Sequence, residues 1–188
     1  MNYKLVDNRI EFTDEKLTEN STNMISVIST YKFTKYMEQM PDGISILRSN
    51  ETRYTKLDVK NKYLQGVIYM PSKKDIFNHT RFGYIIFNRN ILFIDSSDTV
   101  INIIEQLRHS SIDMPTIWKF YYHFLNMLID RDLLYLQDIE NSLSTFENNL
   151  LDGGIDEYNQ RDIIYIRKKL FNQYRFYTQL FEIEHKLN

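Results

Sequence analysis

Five carboxylates fall between positions 130 and 147: Asp130, Asp132, Asp138, Glu140 and Glu147. Oxygen ligands of this kind suit a hard cation such as magnesium, which keeps several of its waters when bound. The segment reads as helix, and on a helix only residues three or four apart face each other. None of the five stands in that relation, so one helix alone cannot converge two carboxylates on an ion. A site here would have to borrow ligands from another helix or another subunit. Asp132 falls close to an apolar stripe, between Ile129 and Leu133, and Asp130 lies beside Ile129. Both read as carboxylates at the stripe's edge in water, because charged side chains are rarely buried unpaired.

Other chemistry is thinly represented. Cysteine is absent, which excludes disulfides, thiolate metal sites and cysteine catalysis and fits a reducing compartment. His79, His109, His123 and His185 have no second histidine three to five residues away, so no zinc spacing exists. The glycines are too scattered for a phosphate-binding loop, and no nucleophile elbow occurs. Arg167-Lys168-Lys169 and Lys73-Lys74 read as solvated faces. A net charge of −2 gives no global field for nucleic acid. These absences point away from an enzyme and from a small-molecule substrate.

The elements that must position these residues belong to one ordinary domain of 188 residues. With 43% hydrophobic and 26% charged residues, the chain reads as globular rather than disordered. The first eleven residues carry charges throughout and do not resemble a signal peptide. No stretch approaches the ~18 uninterrupted apolar residues of a membrane span.

Short strands are expected at 3–6 and 9–12 around the turn pair Asp7-Asn8, and a short helix capped by Thr13 or Asp14 within 13–24. Ile25 to Lys35 reads as a strand, and Pro41-Asp42-Gly43 as a turn. Alternation from Tyr54 leads into a buried strand, Tyr63 to Met70, ended by Pro71. Residues 82–87 and 91–94 flank Asn88-Arg89-Asn90 as a hairpin. Ser96, Ser97 or Asp98 then caps a helix over 99–109 that buries Ile101, Ile104 and Leu107. From Pro115, with Asp113 as cap, the stripe Trp118, Tyr122, Leu125, Ile129, Leu133, Leu136, Ile139, Leu143, Phe146 and Leu150 predicts one helix to about 151. After the Gly153-Gly154 break a second helix begins near Asp156, with Ile163, Ile166, Leu170, Tyr174, Tyr177 and Phe181 on its stripe. The short link makes them antiparallel, with Leu133, Leu136, Leu143 and Phe146 facing Ile166, Leu170, Tyr174 and Tyr177. The organisation is an α/β body over 1–112 and a long helical hairpin over 113–188.

The helical region resembles the cytosolic helices of CorA-type magnesium transporters. Leu128-Ile129-Asp130 matches that family's hydrophobic-hydrophobic-Asp step, and Ile139, Leu143, Phe146 and Glu147 its acidic leucine run. Ile164 to Leu170, with Arg167, Lys168 and Lys169, is similar to the helix that folds back. Upstream, Lys56, Asp58 and Tyr63 resemble the family's Lys-x-Glu-x-x-x-x-Tyr strand. The Gly-Met-Asn tripeptide and both membrane helices of the family are not in this sequence, so the resemblance is to the N-terminal cytosolic domain.

The resemblance implies an α/β fold, a mixed β-sheet between helical layers (α/β/α) with a long C-terminal antiparallel hairpin. It implies a regulatory domain at the cytoplasmic face of the cell membrane, in a homopentameric channel for magnesium, with cobalt, nickel or zinc as possible cargo. Asp130 is the metal-site residue it carries over, completed by a neighbouring subunit. The competing expectation is a free-standing interaction protein whose hairpin docks partner helices.

Overall fold

The computed structural model describes residues 1–18, 20–37, 53–130, 132–153 and 157–187. Strands β1 (Asn2–Val6), β2 (Arg9–Phe12) and β3 (Met24–Ile28) precede helix α1 (Thr30–Met37). Strands β4 (Lys56–Val59), β5 (Tyr63–Pro71), β6 (His79–Phe87) and β7 (Asn90–Ile94) follow. The chain then runs through α2 (Thr99–Arg108), α3 (Ile117–Leu128), α4 (Asp132–Gly153) and α5 (Glu157–Leu187). The strands form one seven-stranded sheet in the order β2-β1-β3-β7-β6-β5-β4. β3 and β7 pair in parallel and every other neighbour is antiparallel, so the sheet is mixed, as expected.

Alternation along the strands divides the core between two faces. Ile25, Val27, Ile91, Phe93, Phe82 and Ile86 point to the face covered by α2, α3 and α5. Leu92, Ile94 and Ile85 point the other way and meet Phe33 of α1. β7 is buried along its whole length, as a central strand covered on both sides should be. On the larger face, the Phe93 and Phe124 rings lie 4.6 Å apart and Phe82 meets Phe124 edge-on at 5.8 Å.

Local chemistry explains the turns. Asp7 and Asn8 take φ of 49° and 66°, and Asn88 and Arg89 take 44° and 62°, the left-handed pairs that match hairpin twist. Asn90, at the end of the second turn, begins β7. It is buried, its Oδ1 accepting from the Met24 N–H at 3.0 Å and its Nδ2 donating to Ser21 C=O at 2.6 Å.

Three expectations are corrected. No helix forms among the described residues of 13–24, because polar side chains satisfy the backbone locally. Thr13 Oγ1 accepts from the Glu15 N–H, and Ser21 Oγ from the Thr18 N–H. The strand expected over 25–35 stops at Ile28. Ser29 then offers its hydroxyl to the Lys32 N–H at 3.4 Å and α1 begins, carrying Phe33 under the sheet. The helix expected from 115 to 151 is two helices, with turns at 129 and 130 between them. Its cap is Thr116, whose hydroxyl accepts from the Lys119 N–H at 3.1 Å, rather than Asp113. The turn signal at Pro41-Asp42-Gly43 and Gly154 itself lie outside the described residues.

The cap of α2 also differs from expectation. Asp98 stands at the cap position with φ 59° and no side-chain bond. The carboxylate one strand-end earlier does the capping: Asp95 Oδ2 accepts from the Val100 N–H at 2.8 Å and Oδ1 from the Ser97 N–H at 2.7 Å.

Candidate cation site at the α3–α4 kink

α3 is apolar on nearly every side. Its core face is Ile117, Phe120, Tyr121, Phe124 and Leu128, while Trp118, Tyr122 and Ile129 are exposed. After Leu128 the backbone closes a series of tight turns. Ile129 N–H donates to Asn126 C=O, Asp130 N–H to Met127 C=O and Asp132 N–H to Ile129 C=O, each a three-residue step. α4 then starts at Asp132, an acidic first turn that complements the helix dipole.

The kink is held by three contacts from two residues. Asp132 is only 5% exposed. The Tyr177 hydroxyl of α5 donates to its Oδ2 at 2.6 Å, and the Lys73 ammonium pairs with its Oδ1. Lys73 also donates to Asp130 C=O at 3.3 Å. Thus Lys73, on the loop between β5 and β6, ties the sheet to the start of α4, and Asp132 ties α4 to α5. The bond from the first residue of α4 to the C-terminal half of α5 makes the pair antiparallel. Lys169 of α5 adds contacts over the Tyr135 and Tyr165 rings at 5.9 and 4.8 Å.

The expected site residues are therefore separated by environment. Asp130 is exposed on the turn, whereas Asp132 is buried and paired, so the reading of both as watery edge carboxylates is corrected for Asp132. Lys73, read as solvated, is corrected too. Asp138, Glu140 and Glu147 are exposed along α4. No group of three His, Cys, Asp or Glu could hold a metal ion among the described residues. Sequence reasoning missed Lys73 and Tyr177 as partners of Asp132. The one available signal was a carboxylate lying close to an apolar stripe, which calls for a cation and a donor.

The facing stripes also need correction. Ile139 and Phe146 of α4 are buried, as are Gln173, Phe176 and Ile183 of α5. Leu133 and Tyr174 are 78% and 71% exposed, and Leu136 is only half-buried, so a Leu136→Ala change costs less than a full core deletion.

The buried hydroxyls make stability depend on alkaline pH. Burial, then the bond to Asp132 and its charge, holds the Tyr177 pKa well above the ordinary tyrosine value. Tyr3 is pushed up to about 12 by burial and by its 2.9 Å bond to Glu105. Each holds its proton longer folded than unfolded. The stabilisation is present below about pH 10 and is lost as pH rises past it. Urea unfolding from about pH 9 to 12 should show stability falling above pH 10, with a shallower fall in Tyr177→Phe. Parallel slopes for wild type and variant would remove Tyr177 from this effect.

Solved structures share this architecture. The full-length CmaX protein matches over 99% of this chain and 62% of its own length, with 14% identity and a TM-score of 0.67. The complete CorA magnesium transporter of Methanocaldococcus jannaschii matches over 91% of this chain and 56% of its own, at 19% identity and 0.66. The ZntB cytoplasmic domain of Vibrio parahaemolyticus RIMD 2210633 matches over 98% and 77%, at 14% identity and 0.65. The chain thus has the fold of the CorA-type soluble domain and spans about three-fifths of the two full-length proteins. No family model and no curated protein matches the sequence. Among the described residues, no helix is long and apolar enough to cross a membrane.

Proposed function

We propose that this chain is the cytosolic regulatory domain of a CorA-type divalent-cation channel, sensing intracellular magnesium and biasing the pore. The observation that carries the reading is a shared fold over at least 91% of the chain with a magnesium transporter and with the cytoplasmic domain of ZntB. In this reading the full-length protein is a homopentamer, joined to the membrane through spans that follow this sequence. The domain itself moves no ion and catalyses no reaction. Cobalt, nickel or zinc could replace magnesium as cargo.

Asp130 is the residue we assign to the regulatory ion. It stands exposed on the turn between α3 and α4. One carboxylate suffices for an ion that keeps its waters, but the remaining charge must come from a neighbouring subunit. The ion then stabilises the closed assembly by binding it better than the open one. The isolated domain should bind magnesium only in about the millimolar range. Ion flux through full-length wild type and Asp130→Asn, measured as internal magnesium is raised, tests the assignment. The variant should lose about 1–3 kcal/mol of coupling. Superimposable inhibition curves would leave Asp130 a solvated carboxylate.

A further inference from the structure

Helix α5 meets the edge of the sheet along a strip rich in hydrogen-bond donors. Arg175 Nη2 donates to Arg53 C=O at 3.0 Å, which brings the Arg175 guanidinium to the backbone of Arg53. One turn on, Gln179 Oε1 accepts from the Thr55 N–H at 2.8 Å, so its amide nitrogen is the end left to donate. Beyond them, at the paired end of β5 and β6, the His79 ring stacks on Tyr69 at 4.3 Å. Between these elements lies a cleft of about 180 Å³, lined also by Asn78 and Asn172.

The chemistry of this cleft is one-sided. Among the described residues, no carboxylate lines it and no ion pair involves Arg53 or Arg175. The nearby Asp75 is engaged elsewhere, accepting from Asn78 Nδ2 at 2.7 Å and from the Phe77 N–H at 3.0 Å. Each guanidinium carries five N–H donors in a rigid fork, and one bond to a carbonyl leaves Arg175 most of its own. Arg53 and Arg175 both line the cleft, and an oxyanion bound there would be favoured by their positive charge.

We propose that this cleft binds a phosphate group, as inorganic phosphate or the headgroup of a phosphomonoester. Two lining arginines, an imidazole, the Gln179 amide nitrogen and the second N–H of Asn172, whose first donates to Ile76 C=O at 3.4 Å, offer more donors than the two oxygens of a carboxylate can accept, and match a tetrahedral dianion. The volume fits a headgroup and falls short of the roughly 300 Å³ at which drug-sized sites begin. Because the donors come from α5 on one side and from Arg53 and the β5–β6 end on the other, the bound anion clamps α5 to the sheet. This proposal does not depend on the channel reading.

Thermal unfolding of the whole chain with sodium phosphate, against sodium chloride at equal ionic strength, is the first arm. The melting temperature should rise by about 4 °C once phosphate exceeds its Kd about tenfold. Arg53→Gln and Arg175→Gln should each weaken binding by about tenfold or more while keeping the wild-type circular dichroism spectrum. A second arm uses phosphatidylcholine vesicles with and without phosphatidic acid. Binding of free phosphate alone identifies a soluble ligand, and binding only to phosphatidic acid vesicles identifies a lipid headgroup. No saturable response in either arm overturns the proposal, and so does a response that both arginine variants retain. Should the variants misfold, NMR of wild type decides. Phosphate must shift the side-chain amides of Asn172 and Gln179, and unmoved amides end the proposal.

Discussion

Replacing Lys73 by methionine should cost the fold about 3 kcal/mol, the lower end of what breaking a buried ion pair costs. The lower end applies because the Lys73 side chain is 35% exposed while that of Asp132 is 7% exposed. The loss arises less from the missing attraction than from what remains: a carboxylate out of water with one hydroxyl for company. At roughly 2–4 °C per kcal/mol for a domain of this size, the melting temperature should fall by about 10 °C. Adding Asp132→Asn should recover most of that loss, since a neutral amide oxygen still accepts from Tyr177 and leaves no buried charge. The cycle of single and double variants therefore isolates the pair from the packing around it. A Lys73→Met protein melting within about 1 °C of wild type would show that the kink does not depend on this contact.

The same cluster shows where sequence stops being informative. The β1–β2 and β6–β7 hairpins were legible because a clear period meets a matching turn, at Asp7-Asn8 and at Asn88-Arg89, and β5, α2 and the long α5 were legible from their period alone. α3 was legible as a helix but not in its orientation. Trp118-Tyr122-Leu125-Ile129 and Ile117-Phe120-Phe124-Leu128 both step by three and four, so periodicity cannot choose between them. The sheet chooses the second, and the break after Leu128 goes with contacts that sequence does not contain. Lys73 lies 59 residues before Asp132 and Tyr177 lies 45 after it, and no local rule joins them. After Ile28, Ser29 accepts from the Lys32 N–H and starts a helix where β-branched composition would have prolonged the strand, and that helix packs Phe33 against Ile85, Leu92 and Ile94. Of the candidate site, Asp130 was expected on one continuous helix, and it is exposed on the turn between α3 and α4 instead. The commitment of its neighbour Asp132 was not legible.

A single methyl group at Gly66 should be among the most damaging small changes in the protein. Gly66 lies opposite Tyr84 in the β5–β6 register, and the tyrosine ring folds over the space a side chain would take. A Cβ there would come within 2.7 Å of Tyr84 Cε1 and closer still to Cζ and Oη. The ring has no easy retreat. Tyr84 is fully buried, its centroid 5.2 Å from that of the equally buried Tyr121 on α3. Moving it therefore pushes α3 against the sheet rather than a flexible tip into solvent. Overpacking of this kind costs about 1–3 kcal/mol, and the clamped ring places Gly66→Ala at the upper end. Shortening the partner should relieve it. Gly66→Ala with Tyr84→Leu is expected to be more stable than Gly66→Ala alone, although Tyr84→Leu by itself is destabilising. Chemical denaturation of the four proteins measures the coupling. Strictly additive losses would mean that the methyl group is accommodated elsewhere and that Tyr84 does not depend on the bare backbone at Gly66.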